Sequence, residues 1–258
     1  MTEPFIDNIP YRLALAGGWI DQPFLSRLNP DRVGAMVVVS VEPTVAFMER
    51  SGMATGTRKV AVKLWSGRIP RDRSRESLVR ELYAEENRDL AEPSGSQDMI
   101  GLIYPGVSRL DYDASHEGGI FPRHIEHCVD PIVAQWIERV IHLIPISPRP
   151  DGYSPLGEKH LDPKRIAELG ETGRTCFDAI ITRDLRRLGD SMNRCMACWE
   201  ALLPHTVRHP TIPIDLMGTL REYQSRYAGA MYSGCGGGYV YVASDEPVPN
   251  AMKVRVRL

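Results

Sequence analysis

The stretch Arg12-Leu13-Ala14-Leu15-Ala16-Gly17-Gly18-Trp19-Ile20-Asp21 decides how the rest of the chain is read. Arg12–Ala16 alternates weakly and ends in Gly17-Gly18, the pattern of a strand running into a tight turn. An arginine at the strand start and an aspartate just past the turn can face one cleft. Taken singly, either residue type is more often a surface residue.

Three further segments carry chemistry, in a fixed order along the chain. Gly52-Met53-Ala54-Thr55-Gly56-Thr57-Arg58 is a loop of small and hydroxyl residues before a helical-looking Lys59–Trp65. Small residues let a backbone approach a phosphate, and a helix start aims free N–H groups and its positive dipole end at an anion. Any flexible loop before a helix looks the same, and the Gly-Lys-Ser/Thr ending of a Walker loop is absent. Next come Glu86 and Asp98. A helix over Ser74 to Leu90, capped by Ser74, carries Leu78, Leu82 and Leu90 on one stripe. Glu86 falls on that stripe, where a carboxylate is costly unless paired or bound to metal. Asp98 follows Gly95-Ser96 and opens a short helix, where the dipole favours its ionised form. Two inward carboxylates suit Mg²⁺ and a hydroxyl-orienting base; a helix-end Glu and a capping Asp fit equally well. Last, Ser233-Gly234-Cys235-Gly236-Gly237-Gly238 sets four glycines among five residues between two strands. Such a backbone either passes close to something or forms a loose hairpin. It is no dinucleotide fingerprint, because the chain ends before the required acidic residue.

Composition narrows the partners. The chain has 258 residues, 43% hydrophobic and 25% charged, with a net charge of −2. That is ordinary globular usage, enough for one large domain or two half-domains. There is no basic field for nucleic acid or an anionic membrane, so a small-molecule substrate is expected. The acidic Met1-Thr2-Glu3-Pro4 start is not a signal peptide, and the purest apolar run, Ala35–Val41, is far too short for a membrane helix. Five cysteines suggest a reducing, cytoplasmic setting without a disulfide framework.

The four segments, in this order, resemble the GHMP kinases, and most closely the D-glycero-D-manno-heptose 7-phosphate kinases and related sugar kinases. Arg12–Asp21 is similar to that branch's Arg strand followed by Ala-Gly-Gly-x-x-Asp. Gly52–Thr57 is similar to its Gly-Leu-Gly-Ser-Ser phosphate loop, Gly95-Ser96-Gln97-Asp98 to its Gly-(Ser/Lys)-Gln-Asp segment with Tyr104-Pro105-Gly106 after it, and Ser233–Gly238 to its Ser-Gly-Ala-Gly-Gly-Gly motif. The resemblance spans nearly the whole chain. It implies an α+β fold of two domains, a ribosomal-S5-like residues 1–135 and a ferredoxin-like residues 136–258, with the site between them. It implies an ATP-dependent, Mg²⁺-dependent kinase for a sugar or sugar phosphate. Asp98 and Arg12 would be catalytic. Gly52, Ala54, Thr55, Gly56, Thr57, Arg58, Gly236 and Gly237 would bind nucleotide, Gly17, Gly18, Asp21 and Gly234 substrate, and Thr57 and Glu86 the metal. Arg58 replaces a small residue, so it either clamps phosphate or crowds the loop. The stretch between Asp21 and Gly52, which in the family helps form the adenine pocket, is short here. The rival reading is a non-catalytic nucleotide- or sugar-binding homologue; a homodimer is left open.

Other conspicuous residues have plain readings. Cys195 and Cys198 lie on the Leu188–Met192–Trp199 helical stripe, which favours core packing over zinc. His124, Glu126 and Cys128 share a strand face, His127 the other. Arg123 and Arg149 could grip a substrate phosphate, but arginines beside prolines are more often surface residues, and the Arg71–Arg80 charges read as a solvated helix face. Strands are expected at Ser108–Tyr112, Arg123–Cys128 and Val140–Ile146 and a last one at Lys253–Leu258, with a mostly helical second half.

Overall fold

A computed structural model describes residues 8–31, 33–90 and 93–258; the Met1–Pro4 reading lies outside them. In chain order the elements are β1 (Tyr11–Ala14), α1 (Pro23–Ser26), β2 (Val33–Val41), α2 (Thr55–Leu64), α3 (Arg75–Glu86), α4 (Gln97–Ile103), β3 (Val107–Asp113), β4 (His124–Cys128), α5 (Pro131–Val140), β5 (Ile141–Ser147), α6 (Pro163–Thr182), α7 (Leu185–Leu202), α8 (Leu216–Arg226), β6 (Gly229–Gly234) and β7 (Gly237–Ala243).

The strands form two antiparallel sheets, β1-β2-β3-β4 and β5-β7-β6. In β2, Val-Gly-Ala-Met-Val-Val-Val-Ser-Val is buried along nearly its whole length because α4 and α6 both pack against it. A strand covered on both faces reads as a continuous apolar run rather than an alternation. Helices α6 and α7 form an antiparallel-like pair, α6 lying on β2 and α7 on β6, so one apolar core runs through both sheets. Each of the two helices begins at a carboxylate cap: Asp162 accepts from the Lys164 N–H at 3.0 Å and Asp184 from the Arg187 N–H at 3.0 Å.

Three expectations change. Helix α2 begins at Thr55, four residues before Lys59, so the second half of the expected loop is the first turn of a helix. Helix α3 ends at Glu86, and Leu90 beyond it is 51% exposed rather than part of the buried stripe. Lys253–Leu258 is no strand. Its partners are split, Met252 bridging Leu143 on β5 and Val256 bridging Val41 on β2, so neither ladder extends along it. The tail buries Val254 and Val256 and ties the two sheets together. The second sheet accordingly has three strands. The 135/136 division falls inside α5, between the last strand of one sheet and the first of the other.

Candidate active site

Four elements aim one functional side chain each at a common point. Strand β1 supplies Arg12, which is 5% exposed. Its Nη2 forms an ion pair with Asp98 Oδ1, and its Nη1 donates to the Gly52 carbonyl at 3.1 Å. Helix α4 carries Asp98 in its first turn. It also gives Arg12 room: a Cβ on Gly101 would stand 2.1 Å from Arg12 Cγ. Helix α2 supplies Thr57, whose buried hydroxyl lies 3.0 Å from Glu86 Oε1 and 3.4 Å from Asp98 Oδ2. A hydroxyl donates one hydrogen, so it serves one carboxylate at a time. Glu86, from the end of α3, keeps a buried Oε2 without any partner. Burial, then the Asp98 charge, pushes the Glu86 carboxyl up to about 7.

The loop Ser51–Ala54 is held from behind by the β6–β7 hairpin. Gly52 has φ +77°, and a Cβ there would stand 2.6 Å from the Ser233 carbonyl oxygen. Only glycine fits both demands. A Cβ on Gly238 would meet the Ser51 carbonyl oxygen at 2.2 Å. Ser233 Oγ donates to the Ser51 carbonyl and accepts from the Tyr239 N–H at 3.0 Å. The glycine-rich segment is thus a close-packed hairpin bracing the loop. Beyond Ala54 the unpaired N–H groups at the start of α2 face a cavity of about 330 Å³, lined by Ala54, Thr55, Gly56, Thr57 and Glu86.

A second cavity of about 220 Å³ adjoins the first. Its walls include Arg12, Gly18, Gln97, Trp199, Ser233 and Gly234. Gly52, Asp98 and Arg149 line both cavities. Two chambers therefore meet at an aspartate and an arginine, one chamber opening on a helix N-terminus and the other on polar side chains.

Arg12, Asp98, Thr57, Glu86, Gly52, Ala54, Thr55, Gly56, Gly18 and Gly234 are brought together as expected. Five residues are placed differently. Arg58 points away from the phosphate loop: its guanidinium lies 4.3 Å from the Tyr11 ring centroid and its Nε donates to the Ile9 carbonyl at 2.9 Å. As the fourth residue of α2 it turns toward Tyr11 of β1, away from the loop. Gly236 and Gly237 lie at the hairpin turn, against Tyr153 and Ser147, and line neither chamber. Gly17 is a packing residue, where a Cβ would stand 2.1 Å from the Ala35 carbonyl oxygen of β2. Asp21 is fully buried behind Gly95, and neither carboxylate oxygen has a hydrogen-bond partner. Burial, then the Asp98 charge, pushes its carboxyl up to about 7.

Sequence reasoning underrates Arg149 and misses Trp199. Arg149 Nε donates to the Cys235 carbonyl at 2.8 Å, which fixes the guanidinium over Gly234 and between the chambers. Its signal is the flanking Pro148 and Pro150, which restrict the backbone from which it projects. Trp199 Nε1 donates to the Gly18 carbonyl at 3.0 Å and shapes the wall of the smaller chamber. Cys195 and Cys198 are core residues as expected, Cys195 Sγ accepting from the Gly17 N–H. Among the described residues no group of three or more His, Cys, Asp or Glu is placed to hold a metal.

No protein-family profile and no curated protein matches the sequence. Solved structures match over almost the whole chain. A D-glycero-D-manno-heptose 1-phosphate kinase from Bacteroides thetaiotaomicron superposes with a TM-score of 0.58 at 10% identity, covering 97% of this chain and 95% of that one. The mevalonate kinase of Methanococcus jannaschii gives 0.60 at 8% identity, with 95% and 92% covered. The galactokinase of Lactococcus lactis in complex with galactose gives 0.58 at 12% identity, with 93% and 85% covered. These likenesses, at TM-scores of 0.58 to 0.60, show that the chain shares the fold of these kinases.

Proposed function

We propose that the protein is an ATP-dependent kinase that phosphorylates a hydroxyl of a sugar or sugar phosphate. The observation that carries this is the meeting of two chambers at Asp98, Arg12 and Arg149. Phosphoryl transfer asks little covalent chemistry of a protein: two reactants held in line and charge stabilised between them suffice. The larger chamber suits the donor phosphates. The N–H groups of Thr55, Gly56 and Thr57 and the α2 dipole offer fixed donors to phosphate oxygens. The smaller chamber suits the acceptor. There Asp98 orients the hydroxyl and takes its proton as the new bond forms, while the Arg12 pair holds the carboxylate in place. Arg149, at the junction, places positive charge beside the transferring group.

The residues present fit a Mg²⁺ ion. Thr57 and Glu86 line the phosphate chamber and offer oxygen donors, Glu86 Oε2 being without a partner, and Mg²⁺ binds through few protein oxygens plus waters and phosphates. When bound, the ion would neutralise charge on the donor's phosphate oxygens. Five free cysteines and a small negative net charge support a cytoplasmic protein acting on small molecules rather than nucleic acid. No helix among the described residues is long and apolar enough to cross a membrane.

The test is a coupled ADP-release assay with Mg²⁺-ATP across hexoses, heptoses and their phosphates. Acceptor-dependent ADP release supports the reading. Sugar binding by calorimetry with no turnover of any acceptor overturns it in favour of a non-catalytic binding protein.

A further inference from the structure

The smaller, acceptor-side chamber does not end at Gly95. A third cavity of about 640 Å³ continues from it, and Trp19, Gln22, Ser94, Gly95 and Pro155 line both. This outer space is roughly three times the inner one. A single sugar ring fills the inner chamber and leaves the outer one empty. Its walls differ in kind from those of a sugar site. The half-buried rings of Trp19, Phe24 and Tyr83 face it with Leu156, and Leu90 at its edge is 51% exposed. Flat apolar walls with few polar groups recognise rings and hydrocarbon, whereas a sugar asks for convergent hydrogen-bonding groups.

Two cations stand at the rim, Arg27 and Lys159, and the acidic residue in the wall is the fully buried Asp21. The Lys159 ammonium lies 4.6 Å from the Phe24 ring centroid, and neither cation forms an ion pair among the described residues. Trp19 is held with φ +79°, a conformation uncommon outside glycine, while the Gly18 carbonyl beside it is anchored by Trp199. That anchoring turns the indole toward the passage between the chambers.

Resting on the kinase reading above, we infer that the acceptor is a two-part molecule. Its hydroxyl-bearing sugar occupies the inner chamber. A flat apolar group joined to it fills the outer chamber against Trp19, Phe24 and Tyr83, with a negative charge directed to Arg27 and Lys159. Such a substrate is a glycoside or ether of a hydroxylated aromatic acid whose carboxylate stays free, rather than a free monosaccharide.

The experiment compares bare hexoses and heptoses with the same sugars carrying a 4-carboxyphenyl group. One series has the group at the anomeric carbon and a second at the terminal hydroxyl, so that one of them leaves the reacting hydroxyl free. Two readouts are taken: kcat/KM with Mg²⁺-ATP, and quenching of tryptophan fluorescence without nucleotide. The expected result is a kcat/KM at least tenfold higher for one extended series. Phe24→Ala and Lys159→Glu should each bring the extended-to-bare ratio down toward one, and an uncharged phenyl series should fall between. Bare sugars turned over as well as extended ones, with no change of ratio in either variant, overturn the inference and leave the kinase reading standing. Quenching by the extended compounds that is lost in Phe24→Ala, without turnover of any acceptor, upholds the outer subsite and overturns the kinase reading instead.

Discussion

Asp98 holds its place through two unlike neighbours, the Arg12 guanidinium on one oxygen and the Thr57 hydroxyl near the other. Asn at this position keeps the shape but accepts no proton. Asp98→Asn is therefore expected to lower kcat by about a hundredfold or more, close to 3 kcal/mol of barrier, with nucleotide affinity changed little. Steady-state kinetics beside nucleotide calorimetry check it; a variant retaining a tenth of the rate removes Asp98 from the chemistry. Asp21 makes a separate, thermodynamic prediction. Its carboxyl moves from 3.8 to about 7 on folding because of burial first and the neighbouring Asp98 charge second. The native state thus holds this proton more tightly than the unfolded chain. The stabilisation is fully present below about pH 4 and is lost as pH rises through 7, a difference of at most about 4 kcal/mol. Asn does not titrate, and its amide can donate to the equally orphaned Gln97 Oε1. Asp21→Asn should therefore raise the melting temperature at pH 8, the gain shrinking toward pH 4. Melting curves of the two proteins that run parallel across this range would show that Asp21 does not titrate there.

At the scale of elements, the site depends on how closely α4 crosses β1. Gly101 lets the helix lie against the stem of Arg12, whose far end is fixed by Asp98 and Gly52. Gly101→Ala gains about 1 kcal/mol of helix propensity. It also drives a methyl group into a stem that has no freedom to move, an overpacking cost of roughly 1–3 kcal/mol. The expected net result is a lower denaturation midpoint together with a lower kcat, because Arg12 and Asp98 shift as a pair. Gly56 in α2 is the contrast: a Cβ there meets nothing within 4 Å, so Gly56→Ala should keep or raise the midpoint. An unchanged midpoint in Gly101→Ala would mean that the two elements can separate cheaply. The same closeness explains what the sequence made legible. The glycines of 52 and 234–238 announced a backbone passing near something, and that something is largely another stretch of backbone, with ligand space on the far side. Residue type could signal the approach but not its partner, so Gly236 and Gly237 were assigned to nucleotide. Helix α5 was missed although Asp130 caps it, its carboxylate accepting from the Ile132 N–H at 2.8 Å, and Pro131 opens it. Its apolar stripe runs directly into β5, and the change of period from helix to strand has no punctuating glycine or proline. Because α2 starts at Thr55 rather than Lys59, Arg58 lies in its first turn and its side chain faces Tyr11 instead of the loop.

Across the whole molecule, the site is a seam. The phosphate loop comes from the first half, its brace from the β6–β7 hairpin of the second, and the tail from Met252 to Val256 ties both sheets. On the kinase reading proposed above, the donor's phosphates would be gripped by structure from both halves, and that grip would be independent of the base, because backbone N–H groups and a helix N-terminus recognise only the anion. A base needs an apolar slot with a few fixed polar contacts. Apart from Glu86, Asp98 and Arg149, the residues around the phosphate chamber beyond the loop are Glu49, Arg50 and Lys59. Lys59 pairs with Glu49 and Arg50 with Asp151. No aromatic side chain lines this chamber, and the stretch between Asp21 and Gly52 that would supply one is short. Each hydrogen-bonded contact missing from a base pocket forfeits roughly 1 kcal/mol. ATP and GTP are therefore expected to serve within about tenfold of each other in kcat/KM, with CTP and UTP not far behind, and triphosphate affinity should be modest. A panel of the four donors at fixed Mg²⁺ and acceptor measures this. A hundredfold preference for ATP would require a base pocket that these charged side chains do not form, and would place it on the far side of Glu49 and Arg50, in the loop joining β2 to α2.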